Sequence, residues 1–160
     1  MPPLAAARVR ILIDADACPV KDESYKVAWR HDVHVTLVAN SHLRIPAHPL
    51  IDRVVVGDGF DAADDRIAEI CEASGATAVI VVTADILLAD RCLKAGATVL
   101  APTGKPFTAA SIGPAIATRA IMADLRAGGD QLGGPAPFAR ADRSRYLQAL
   151  DAAVVKLLRR

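Results

Sequence analysis

The sequence predicts an α/β fold, three-layered and doubly wound, with a mainly parallel five-stranded sheet. Hydrophobic residues make up 52% of the chain but aromatic residues only 4%. The core must therefore be built from Val, Ile, Leu and Ala, the composition of parallel strands buried on both faces. Short apolar runs of strand length alternate with segments of helical length, a pattern that right-handed crossovers convert into a parallel sheet. The 160 residues are enough for one domain that buries about two-thirds of the surface its unfolded chain exposes. Residues 1–160 are thus read as a single domain, with an α/β body over 8–127, a Gly/Pro-rich loop over 128–141 and a helix over 142–158 packing on that body.

The predicted strands are 9–13 (VRILI), 33–38 (VHVTLV), 54–56 (VVV), 78–82 (AVIVV) and 98–100 (TVL), each bounded by turn formers. Helices are expected over 20–31, where Pro19 takes the favoured first position, and over 62–73 and 86–95. Residues 39–50 (ANSHLRIPAHPL) hold two prolines and no period, so they read as a connection. After APTGKPFT at 101–108 a helix is expected from Pro114 to Arg126, and then GGDQLGGPAP at 128–137 marks a loop. In the last helix Tyr146, Leu147, Leu150, Val154, Leu157 and Leu158 recur at helical spacing and should face the body.

Composition narrows the function classes. Cys18, Cys71 and Cys92 are odd in number and form no CxxC pair, which suggests neither a disulfide framework nor a thiolate zinc site. No apolar run approaches the roughly 20 residues that span a bilayer, so no membrane association is expected and the cytoplasm is the expected location. The net charge of +1 hides an asymmetry: residues 1–118 carry 11 basic and 14 acidic side chains, residues 119–160 carry 8 and 4. A basic tail beside an acidic site suits a nucleic-acid enzyme, because cationic side chains hold phosphates while carboxylates hold metal. Arg143 and Arg145 in the tail are candidate substrate contacts. A solvated helix face would explain the same charges.

Ligands of open parallel sheets bind beyond the carboxyl ends of strands, near the point where strand order reverses. The acids fall there. Asp14 and Asp16 end strand one, Asp85 ends strand four, and Asp90 lies about one helical turn beyond it. Asp61, Asp64 and Asp65 open the helix that feeds strand four. If strands one and four are neighbours, these carboxylates converge, and their repulsion calls for a cation. Hard oxygen donors without His or Cys select Mg²⁺ or Mn²⁺ over zinc. Such a cation would support attack of water on a phosphodiester.

Simpler roles compete residue by residue. Asp61 and Asp85 are placed to cap helices, and Asp64 and Asp65 to meet a helix dipole. Lys21 could reach a phosphate or lie in solvent; Thr83, Asn40 and Ser41 could orient water or phosphate, or satisfy loops. Cys18 reads as a small buried thiol with no histidine near it in sequence. His31, His34, His42 and His48 show no ligand spacing. Asp14 follows an apolar strand and is not an obvious cap.

The strings DADACPVK (14–21), VANS (38–41), GFDAADDRIA (59–68), TADILLA (83–89), GGPAPF and DRSRYLQALD resemble the YaiI/YqxD family of bacterial proteins, over nearly the whole chain. That family is grouped with PIN-like domains, whose pattern is visible in the strand-ending Asp14, the Asp-x-x-Ile-Ala from Asp64 and the Thr-x-Asp from Thr83. The resemblance implies a doubly wound sheet and metal-dependent nuclease ancestry, with Asp14, Asp64 and Asp85 as carried-over ligands and Asp90 or Asp16 as a fourth; the expected substrate is RNA.

Two other enzyme classes share parts of the pattern. A haloacid-dehalogenase-type phosphatase also begins on Asp-x-Asp, with Asp14 as nucleophile, yet Cys18 replaces its usual hydroxyl. A response-regulator receiver would place its acceptor directly at the end of strand three, where this chain has Gly57, Asp58 and Gly59. The alternative of another class is a non-catalytic RNA-binding or regulatory module on the same fold.

Overall fold

The computed structural model describes residues 8–16, 18–59, 61–129 and 137–160. Its elements run β1 (Val9–Asp14), α1 (Lys21–His31), β2 (His34–Ala39), β3 (Ile51–Val55), α2 (Ala62–Glu72), β4 (Ala78–Val82), α3 (Ile86–Lys94), β5 (Thr98–Leu100), β6 (Pro106–Phe107), α4 (Ala109–Ala127) and α5 (Arg140–Leu158). The sheet order is β3-β2-β1-β4-β5-β6. Every pairing is parallel except that of β5 with β6. The protein is therefore α/β with a six-stranded, mostly parallel sheet.

Side chains alternate across the sheet because strand residues point to opposite faces in turn. Val9, Ile11 and Ile13 enter a core with α1 and α5, whereas Leu12 enters a second core with Ile67 of α2 and Leu88 of α3. Helices thus cover both faces. The first core carries one buried polar tie: the Ser24 hydroxyl of α1 lies 2.6 Å from the Tyr146 hydroxyl of α5 and also donates to the Val20 carbonyl at 2.9 Å. A phenol buried in that core needs such a partner.

Several boundaries correct the sequence expectations. The sheet has six strands, not five, because the segment after β5 folds back as a two-residue edge strand pairing Val99 with Phe107. Pro106 is tolerated there because an edge strand does not need its missing N–H. Gly104 permits the turn between them. Its φ is +88°, and a Cβ would meet the Arg145 carbonyl oxygen of α5 at 2.7 Å. Helix α4 starts at Ala109, ahead of Pro114, because Thr108 and Ser111 form a reciprocal capping box. Strand β3 begins at Ile51, directly after the 39–50 connection and three residues ahead of the expected 54–56 strand, and α1 begins at Lys21, so Pro19 precedes the helix. Helix α5 begins at Arg140, inside the expected 128–141 loop, whose residues 130–136 lie outside the described residues.

Candidate functional site

The strand order reverses at β1 and β4, which are adjacent and in register with Ile13 opposite Val82. The residues that follow each strand are therefore brought side by side. The Thr83 hydroxyl, buried just past β4, donates to Asp14 Oδ2 at 2.8 Å and accepts the Asp85 N–H at 3.0 Å. Thr83 thus fixes the Asp14 carboxylate and the backbone of Asp85 together. Asp85 Oδ1 accepts the N–H groups of Leu87 at 2.9 Å and Leu88 at 3.1 Å, so Asp85 does cap α3. Capping occupies one carboxylate oxygen.

Asp64, in the first turn of α2, completes the group. Burial, the charges of Asp85, Asp14 and Asp61, and a hydrogen bond with Asp85 raise its carboxyl to about 6. Asp14 is also raised, chiefly by burial, opposed by the Thr83 hydrogen bond and reinforced by the charges of Asp85 and Asp16. Each effect disfavours the ionised form. Three carboxylates from three separate elements therefore act on one another at the carboxyl edge of the sheet. Among the described residues, no three His, Cys, Asp or Glu side chains already stand as a metal-holding group. The donors themselves are oxygen-only and suit a hard divalent cation.

The remaining sequence candidates divide. Asp61 sits at the N-cap of α2, makes no side-chain cap hydrogen bond, and is felt electrostatically by Asp64. Asp16 is exposed, accepts the Asn40 N–H at 2.8 Å and acts on Asp14 at the rim. Asp90 pairs with Lys94 at 2.8 Å and is not among the charges that shift Asp14 or Asp64; Asp65 pairs with Arg91 at 2.8 Å. Lys21 is the half-buried first residue of α1. Cys18 is half-buried, and that burial pushes its thiol up. Asn40 and Ser41 are exposed past the end of β2.

The tail arginines bind the chain's own groups. Arg143 donates to the Pro19 carbonyl at 2.6 Å, lies 3.5 Å from Glu23 and stands 5.2 Å over the Phe138 ring; Arg145 pairs with Asp142 at 2.9 Å. The cations that border open space between α4 and Ile86, the residue after Asp85, are others, namely Lys105, Arg119 and Arg126. The sequence held a signal for two of them, since Arg119 and Arg126 are seven apart on an alanine-rich helix and so share a face. Among the described residues, no helix is long and apolar enough to cross a membrane.

Residues 12–156 match the family described as "Uncharacterized BCR, YaiI/YqxD family". A "UPF0178 protein" of Sphingopyxis alaskensis is 72% identical over 150 residues, covering 93% of this chain and 95% of the relative. "UPF0178 protein RPA2191" of Rhodopseudomonas palustris is 58% identical over 154 residues, covering 96% and 95%. "UPF0178 protein bll3966" of Bradyrhizobium diazoefficiens is 54% identical over 151 residues, covering 94% and 88%. No solved structure matches the chain.

Proposed function

The chain belongs to the YaiI/YqxD family, and from that premise we propose that it is a divalent-metal-dependent nuclease that hydrolyses phosphodiester bonds in RNA on a three-layer, PIN-like fold. The observation that carries the reading is the mutual action of Asp14, Asp64 and Asp85 across the point where strand order reverses, expressed in an Asp64 carboxyl raised to about 6. Clustered acids of this kind cost stability, and a bound cation would offset that cost.

Asp14, Asp64 and Asp85 would hold Mg²⁺ or Mn²⁺. When bound, the cation supplies Lewis-acid polarisation of a phosphoryl oxygen and a lowered pKa for the attacking water. The chain's own residues set the stage. Thr83 orients the Asp14 carboxylate and the Asp85 backbone. Asp85 keeps one oxygen on the α3 N–H groups, and the other remains for the site. Asp64 must lose its proton before it can serve as a ligand, so affinity for the cation falls as pH drops through about 6. Lys21, at the start of α1 and so beyond the carboxyl end of β1, would supply positive charge for a phosphate.

The test is incubation of labelled single-stranded RNA with the protein in Mn²⁺ and in EDTA. Product is expected only with the metal and should be lost in Asp14→Asn and Asp85→Asn. No product in either condition, or product that both variants leave intact, contradicts the reading. A non-catalytic RNA-binding module is the second reading, favoured by the lack of a ready-made three-donor group among the described residues. The phosphatase reading gains nothing from this arrangement, because the Asp16 carboxylate is tied to the Asn40 N–H.

A further inference from the structure

We propose that the groove between α4 and the β5–β6 turn is a track for single-stranded RNA leading into the acid cluster; the track rests on reading that cluster as the cleavage site. Two cavities of about 450 and 630 Å³ share Ile86, Lys105, Ser111 and Ala115, so they form one continuous trough. Its near end is lined by Ala84, the residue between Thr83 and Asp85, and its far end by Arg119, Met122 and Arg126. The α4 wall uses positions 111, 114, 115, 118, 119, 122 and 126, the three-to-four spacing of one helix face. At 1.5 Å per residue that wall is about 22 Å long, room for a few nucleotides.

Charge identifies the occupant as a polyanion. Lys105, Arg119 and Arg126 are exposed and, among the described residues, within ion-pair reach of no carboxylate, unlike Arg91, Lys94, Arg143 and Arg145. Among the described residues, no acidic side chain lines either cavity. The acids begin only past Ala84, where the cleaved phosphate would sit. Phe107 and Phe138 line the near stretch; Arg143 stands over the Phe138 ring, which leaves Phe107 to offer ring surface to an unpaired base, the way single strands are held without sequence readout. The hydroxyls of Thr103 and Thr118 also line the trough, and among the described residues they have no side-chain hydrogen-bond partner. A ribose 2′-OH, both donor and acceptor, matches such hydroxyls.

The experiment is fluorescence anisotropy with a short labelled oligouridylate in EDTA, which reads binding without cleavage. Wild-type protein is compared with the triple variant Lys105→Gln, Arg119→Gln, Arg126→Gln and with Arg145→Gln. All four positions are exposed, and circular dichroism is to check the fold of each variant. The triple variant should bind at least about tenfold more weakly, with a plot of log affinity against log salt shallower by about 2, given roughly 0.7 per phosphate contact on a single strand. Arg145→Gln should change neither. Equal affinity and slope in wild type and triple variant overturn the track, as does a wild type that binds no RNA. A deoxyuridylate bound equally well overturns RNA as the occupant. Binding with the expected salt dependence in a protein that never cleaves would support the track and count only against the nuclease reading.

Discussion

Helices α4 and α5 are both 19 residues long, yet they do opposite things. Helix α5 buries Tyr146, Leu150, Val154 and Leu157 in the first core, whereas α4 buries only Ile112 and leaves Ile121 59% and Leu125 39% exposed. A helix whose buried residues recur every three or four positions is held by packing. Helix α4 has its capping box, its contact with α3 and little else. The difference separates a side of the molecule built for stability from a side that carries unpaired charge: the acids at the carboxyl edge, and the cations along α4.

The comparison breaks most sharply in α5. Leu150→Ala should cost about 3 kcal/mol, since a fully buried leucine loses both transfer energy and a filled cavity. Denaturant titration would measure it, and a loss below about 1 kcal/mol would mean that α5 is no part of the core. Gly104→Ala probes the boundary between the two sides, where the turn bearing Lys105 touches α5. A positive φ and a backbone clash should together cost about 1–3 kcal/mol; an unchanged melting temperature would show that the turn does not bear on α5.

The acid edge gives a smaller effect with a definite sign. Asp64 has a carboxyl raised from 3.8 to about 6, so between those values the folded state binds more protons than the unfolded state. Stability of the metal-free protein should therefore fall as pH rises from about 4 to about 6 through this group. Asp64→Asn should flatten that slope. A slope unchanged by the substitution would show that Asp14 and Asp85 do not act on Asp64. The smallest effect belongs to α4, where Ile121→Ala should change stability by less than about 0.5 kcal/mol, and a larger loss would show that this face is covered.

The same contrast explains what could be read from the sequence. The α5 stripe was legible because Tyr146, Leu150, Val154 and Leu157 repeat at helical spacing. Apolar runs alternating with helices made a parallel sheet legible but not its strand order, so the β1–β4 adjacency that puts Asp14 beside Asp85 stood only as a condition until the fold supplied it. The resemblance to the YaiI/YqxD family is borne out by the match over residues 12–156. Strand β6 was not legible, since two residues including a proline carry no period. The start of α4 was obscured by Pro114, although Thr108 and Ser111 already held its cap. Attention to the tail's net charge favoured Arg143 and Arg145, whose partners Glu23, Pro19 and Asp142 become visible only in three dimensions. Charge counts do not tell which cations are already paired.

The most direct measurement is calorimetric titration of Mn²⁺ into the metal-free protein at neutral pH, beside the double variant Asp14→Asn, Asp85→Asn in the same buffer. Saturable binding to the wild type that the variant loses is the predicted result. No binding, or identical binding to both proteins, would contradict the carboxylate site and leave Asp85 as a helix cap.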